Sequence, residues 1–323
     1  MRIYFHYLTN YFRSFLRTPP KTLLKIVNYF PKLISIFSSF LRFDIPRYLA
    51  ANSFEYEETT DPIESRIGIL LLAHNKDFDS LPYALNFGFR ATSNFQFQHP
   101  YLIVPDTDLS RAHQIKDSLT FPLDISTDES YLSPLELTRI KMNFGTRSGW
   151  VIQQLLKIKF LMQTNEENVL IIDADTILLH RRNWFDSSGR QLLMPSEELT
   201  PQYYDFLSHK GLEINRNLSF ITHHMLIQVK YFKESLERIG LGSFEDLLDF
   251  INEYSILENN SPFSLDYELY GQYMLNYHPE KITLKKWSNI SISKAKIFTK
   301  EDDLKVLEKL SKKYASVSMH SWL

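Results

Sequence analysis

Three uninterrupted apolar runs, each ending abruptly in a polar cluster, restrict what this chain can fold into more than any other feature. They are Arg66–Ala73 (RIGILLLA), Tyr101–Val104 (YLIV) and Val169–Ile172 (VLII). A run without apolar/polar alternation suits a strand covered on both faces, as in the parallel sheets of α/β proteins. The first run is closed by His74, Asn75, Lys76 and Asp77, the second by Pro105 and Asp106, and the third by Asp173, Ala174, Asp175 and Thr176. Helical patterns precede the second and third runs, over about Ser80–Ala91 and Ser148–Met162. The second of these carries Trp150, Gln153, Gln154, Leu155, Lys157 and Ile158. The pattern predicts a β-α-β start and an α/β fold whose mixed, mostly parallel sheet is flanked by helices. Ligands in such sheets lie beyond the carboxyl ends of the strands. Ala73–Asp77 is therefore the first nucleotide-pocket candidate, with His74, Asn75 and Asp77 as its polar groups.

Shorter elements follow. Strands are expected near Leu192–Met194 and Leu218–Gln228, and helices near Tyr231–Ile239, Phe244–Tyr254 and Leu265–Tyr277. A strand at Ile282–Trp287 and a last helix over Asp302–Tyr314 complete the chain, the helix carrying Leu304, Leu307 and Leu310 on one face.

With 323 residues and 44% hydrophobic content, the chain can bury one large core, or a core and a small appendage. The net charge of -2 hides an asymmetry, because residues 1–50 carry eight Lys/Arg against the single acid Asp44. In that segment Tyr4, Phe5, Tyr7, Tyr11, Phe12 and Phe15 interleave with Arg2, Arg13 and Arg17, and the pattern continues to Phe43. A spanning helix needs about 20 apolar residues, and the longest stretch here, Leu33–Leu41, stops at Arg42. Two readings remain: a helical basic arm lying on an anionic membrane surface, or amphipathic helices packed on the chain's own body. No apolar segment with a small-residue cleavage site marks a signal peptide. The acidic stretch Asn52–Glu64 reads as a linker, which divides the chain into an arm and linker over 1–60 and one α/β domain over 61–323. The absence of cysteine excludes a disulfide framework and thiolate metal sites. The mildly acidic body offers no basic field for nucleic acid.

Asp173 and Asp175 present hard oxygen ligands at a strand's carboxyl end, where Mg²⁺ or Mn²⁺ can bridge to a diphosphate; a bare Asp-x-Asp also serves turns and caps. Gln153 and Lys157 share a helix face four residues apart, giving either a phosphate contact or a solvated lysine. His223 and His224 are adjacent in an expected strand, so they point to opposite faces. In Ser264–Gly271, Ser264 is the expected helix cap. Asp266 then falls in the first turn, where an acid favours the helix dipole, and Glu268 becomes the preferred general base, with Asp266 as the second acid.

The segments Gly149–Lys157 (GWVIQQLLK), Leu170–Thr176 (LIIDADT), Ser219–Met225 (SFITHHM) and Asp266–Gly271 (DYELYG) resemble, in that order, the GT-A glycosyltransferases and a bacterial set of Asp-x-Asp proteins of that type. The resemblance covers roughly residues 65–323. It implies the GT-A, Rossmann-like fold and a nucleotide-sugar donor, with a UDP-sugar favoured. It implies Mn²⁺ or Mg²⁺ on Asp173 and Asp175, with His320 of the C-terminal run as third ligand. One of His223 and His224 would contact donor sugar or acceptor, the other reading being a buried structural histidine. Inversion would employ the Glu268 base; retention would leave that segment to bind acceptor. The implied reaction is sugar transfer to a surface glycan or glycolipid, lipopolysaccharide or capsule, at the cytoplasmic face of a bacterial plasma membrane. The Gly and Lys-Pro-Trp elements of the retaining enzymes' C-terminal motif are absent. Two rivals are a sugar-nucleotide pyrophosphorylase, against which His74–Asp77 stands where a Gly-rich phosphate loop belongs, and a non-catalytic carbohydrate-binding or scaffold protein.

Overall fold

The computed structural model describes residues 62–196, 200–257, 263–285, 288–293 and 303–320. The basic arm and nearly all of the linker lie outside them, and so does Trp287 at the end of the expected strand. No helix of the described residues is long and apolar enough to cross a membrane.

In chain order the elements are β1 (Ile63–Leu72), α1 (Leu81–Ala91), β2 (Phe95–Val104), α2 (Leu109–Ser118), β3 (Asp124–Thr127), α3 (Pro134–Phe144), α4 (Ser148–Gln163), β4 (Asn168–Asp173), β5 (Thr176–Leu178), β6 (Gln191–Leu193), α5 (Pro201–His209), β7 (His224–Gln228), α6 (Val229–Arg238), α7 (Phe244–Leu257), α8 (Tyr267–Tyr277), β8 (Ile282–Leu284), β9 (Asn289–Ser293), α9 (Asp303–Ser311) and β10 (Ser316–His320). The main sheet has the order β3-β2-β1-β4-β7. Its first four strands are parallel and β7 runs antiparallel to β4. The architecture is the expected one, a mostly parallel sheet flanked by helices.

The apolar runs explain the layering. In a strand successive side chains alternate faces, so Leu70, Leu72, Ile103, Val169 and Ile171 join the core beneath α3 to α8. Ile67, Ile69, Leu71, Leu102, Leu170 and Ile172 join the opposite core with Leu81, Ala84 and Leu85 of α1. Helix α1 lies so close to β4 that a Cβ on Gly88 would sit 2.6 Å from Ile172 Cδ1. Local signals punctuate the helices: Ser133 and Glu136 form a reciprocal capping box at the start of α3, and Gly145 ends that helix at φ 51°.

Most expected boundaries shift by a residue or a few, and some elements differ more. The first two strands begin earlier, at Ile63 and Phe95, because partly exposed residues that break the apolar pattern still pair in the ladder between β1 and β2. The expected strand Leu218–Gln228 forms only from His224, since the chain before it makes only an isolated bridge from Ser219 to Ser196 and is otherwise held by bonds such as that of Phe220 N–H to Glu268. On α9, Leu307 is buried but Leu304 is 64% exposed, so the expected apolar face is narrower. A small sheet, β5-β10-β9, returns the C-terminal strand to the residues just after Asp175.

Candidate active site

The strand order reverses between β1 and β4: β2 and β3 lie on one side of β1, and the next parallel strand on the other. A crevice opens beyond the carboxyl ends of the strands at such a reversal. The register pairs Leu72 with Asp173, so the polar groups that close β1 and β4 flank one crevice. The antiparallel pairing of Ile172 with His224 adds the start of β7.

On the β1 side, His74 is half-buried and Asn75 exposed, whereas Asp77 is buried. Asp77 Oδ2 accepts the His74 backbone N–H at 3.1 Å, and Ser80 Oγ donates to the Asp77 carbonyl at 2.8 Å. Asp77 thus shapes the turn that leaves β1. Asn75 accepts a hydrogen bond from Arg111, whose guanidinium lies over the Phe78 ring.

On the β4 side, Asp173 is the hub. Its Oδ1 accepts from Lys157 Nζ at 3.0 Å and from the Tyr267 hydroxyl at 2.9 Å, and its Oδ2 lies 3.3 Å from His223 Nδ1. Burial pushes the Asp173 pKa up, but Lys157 and His223 outweigh it and hold the carboxylate well below its ordinary value. Lys157 is 7% exposed and also bonds Asp266 Oδ2 at 2.9 Å. Burial alone would favour neutral lysine, yet Asp173 and Asp266 keep its pKa well above the usual value. The residue expected as a phosphate contact or a solvated lysine is instead a buried cation shared by two carboxylates. Gln153, four residues earlier on α4, is half-buried.

The two histidines do point apart, by a different route from the one expected. His223 lies before β7 with φ 60°, in the left-handed region where a side chain costs about 1–2 kcal/mol. That turn aims its ring at Asp173, while its carbonyl accepts the Asp173 N–H at 2.9 Å. His224 begins the strand, is fully buried, and accepts from Arg182. Burial, then Arg182, hold its pKa well below the ordinary histidine value. His224 is buried on the Trp184 side, its ring edge-on to that indole.

Ser264 does not cap α8; Asp266 occupies the N-cap position, makes no capping bond, and receives Ser264 Oγ at 3.2 Å. Glu268 is 0% exposed. Its Oε2 accepts from Ser219 Oγ at 3.0 Å and Phe220 N–H at 2.9 Å, and its Oε1 from Gln272 at 2.8 Å. The side chain expected as a base is thus a buried bracket tying α8 to residues 219–220.

Sequence reasoning missed three contributors. Tyr267 bonds Asp173 directly. Gln154 grips the segment before α8 through Leu265 N–H at 2.8 Å and the Phe263 carbonyl at 3.3 Å. Arg182 engages His224. The signal for Gln154 was available: Trp150, Gln154 and Lys157 recur at the helical spacing i, i+4, i+7.

Asp173 uses three of the roughly four acceptor positions of a carboxylate, its side chain is 29% exposed, and Oδ2 carries only the long imidazole contact. Asp175 follows in the turn, half-buried, its carbonyl accepting Met319 N–H at 2.8 Å. This donor set fits a hard divalent cation on two carboxylates. Among the described residues no group of three His, Asp or Glu is arranged for a metal ion. The His320 side chain lies outside the described residues.

No curated protein sequence matches the chain. Among solved structures, mouse xyloside xylosyltransferase 1 in its apo form is 10% identical, with 79% of this chain and 98% of that one covered and a TM-score of 0.44. The galactosyltransferase LgtC in complex with donor and acceptor sugar analogues is 11% identical, with 78% and 86% covered and a TM-score of 0.43. The glycosyltransferase GlyE of Streptococcus pneumoniae TIGR4 is 14% identical, with 80% and 55% covered and a TM-score of 0.36. The sequence profile that matches residues 88–287, spanning the helix of Lys157, the Asp173 turn and the Asp266 segment, is that of a family of unknown function, and the chain belongs to that family, DUF6492.

Proposed function

We propose that this protein is a GT-A type glycosyltransferase that binds a nucleotide-sugar donor, a UDP-sugar by preference, through a divalent cation held on Asp173 and Asp175. The observation that carries the reading is the pairing of Leu72 with Asp173 at the reversal of strand order, which puts Asp173, with Asp175 two residues on, beside the polar β1 exit at the end of the sheet where α/β folds take ligands. Bound Mn²⁺ or Mg²⁺ would neutralise charge on the departing nucleoside diphosphate. Asp173 and Asp175 would hold it, with His320 as the third ligand implied by the sequence resemblance. His223 lies beside Asp173 and is the histidine suited to contact donor sugar or acceptor. His74 and Asn75 stand at the β1 exit as nucleotide contacts, with Asp77 shaping their turn.

With the Glu268 carboxylate enclosed and Asp266 paired to Lys157, neither acid is disposed to take an acceptor proton in this arrangement. That favours the acceptor-proximal reading of the segment over a base built from it. The acceptor we propose is a surface glycan or glycolipid, lipopolysaccharide or capsule in type. The basic aromatic segment of residues 1–50 supports it by suiting an anionic membrane at the cytoplasmic face.

The test is binding of UDP, GDP and CMP with and without Mn²⁺ to the wild type and to Asp173→Ala/Asp175→Ala. Metal-dependent binding of one nucleotide to the wild type and its loss in the variant are expected. Equal binding by both proteins would sink the assignment.

A further inference from the structure

We propose that the N-cap residue of α8, Asp266, and its first residue, Tyr267, are positioning residues that fix which oxygen of Asp173 faces the crevice, Asp266 acting through Lys157. This rests on the cation-site reading of Asp173. An aspartate at a helix N-cap ordinarily accepts a backbone N–H of the first turn. Asp266 stands at that position without doing so, and turns Oδ2 to Lys157 instead. The ammonium has three donors, and three oxygens surround it: Asp266 Oδ2 at 2.9 Å, Asp173 Oδ1 at 3.0 Å and the Tyr267 hydroxyl at 3.4 Å. Tyr267 closes the figure by donating to the same Asp173 Oδ1 at 2.9 Å, with its ring centroid 4.4 Å from the ammonium. All of these groups except Asp173 are buried, so Oδ1 is held from the protein side and Oδ2 is left toward the partly exposed side.

The anchor is itself held. Gln154 binds the backbone of residues 263 and 265 on either side of Ser264, and Ser264 Oγ donates to Asp266 Oδ1. Glu268 and Gln272 tie the same helix to residues 215–220, just ahead of His223, the group that meets Oδ2. Both oxygens of Asp173 are therefore referenced to one helix. If Asp266 were neutral, Lys157 would keep a single carboxylate partner and be drawn fully onto Asp173, where it competes with any other cation. Groups that orient a metal ligand from behind change metal affinity by about 10–100-fold when altered.

The experiment is calorimetric titration of Mn²⁺ alone into the full chain, for the wild type, Asp266→Asn and Tyr267→Phe, each held well below its own melting temperature. The expected result is Mn²⁺ affinity at least about tenfold weaker in Asp266→Asn and measurably weaker in Tyr267→Phe. A merely structural role would lower the melting temperature and leave the affinity of the folded protein unchanged; that outcome overturns the inference and spares the proposed function. Failure of the wild type to bind Mn²⁺ overturns both. Should Asp266→Asn not fold, Tyr267→Phe, which loses one hydroxyl, decides the matter by the same measurement.

Discussion

Glu268 accepts the backbone N–H of Phe220 across 48 residues of chain, at 2.9 Å, with no exposure to solvent. A carboxylate in that position organises a loop. Glu268→Gln keeps the shape but turns an amide nitrogen toward donors on one side or the other. The expected cost is about 1–3 kcal/mol, the penalty for a mismatched buried polar group, read as a lower urea midpoint at unchanged slope. Turnover by the folded variant is expected to stay within a few-fold of wild type. A loss of the order of 10²–10⁴ with stability intact would instead restore Glu268 as a general base.

Two glycines contrast in their neighbours. A Cβ on Gly271 would meet Phe220 Cγ at 2.1 Å, whereas on Gly88 it would meet the far end of Ile172 at 2.6 Å. Gly271→Ala is expected to destabilise by about 1–3 kcal/mol or more, because an aromatic ring packed against a helix has no room to withdraw. Gly88→Ala should cost less, since a terminal methyl can rotate away. Equal urea midpoints for the two variants would contradict this ordering.

Lys157 and Asp266 are 7% and 6% exposed, so their pair is a buried one. Lys157→Met leaves two carboxylates without their cation and is expected to cost about 3–5 kcal/mol. Adding Asp266→Asn should recover part of that loss, because the second buried charge leaves with the first. A double-mutant cycle on thermal unfolding checks it, and simple additivity would argue against the coupling.

The pH dependence has a defined sign. Burial and Arg182 depress the pKa of His224, with His223 adding to the depression and Asp173 opposing it. The folded histidine stays neutral while the unfolded one takes a proton near its ordinary pKa of about 6.5. The unfolded state therefore binds more protons as pH falls. The His224 contribution is fully present above about pH 6.5 and is lost below it, at up to about 1.4 kcal/mol per pH unit, until the folded pKa is reached. His224→Gln should flatten the wild-type stability profile between about pH 7 and 5, measured by chemical denaturation. An unchanged slope would mean that His224 is not the titrating group.

The sequence by itself determined three of the four parallel strands, their polar endings and the helices α1 and α4, because these depend on local periodicity; β3, α2 and α3 carry no comparable apolar run and came only with the structure. Asp173 and Asp175 were legible for the same reason, standing where an apolar run stops. What only the tertiary structure decided is which charges meet. Lys157 finds Asp266 109 residues away, and Asp173 meets His223 50 residues on. A lysine at a helical position reads the same whether solvated or buried, since its neighbours there come from β4 and α8. His223 read as a strand residue because no local pattern announces a φ of 60°; that angle is set by the bonds of Asp173 and of the segment before β7. Residues that act through distant partners are silent in a single sequence, because the energy that places them resides in long-range burial and charge pairing.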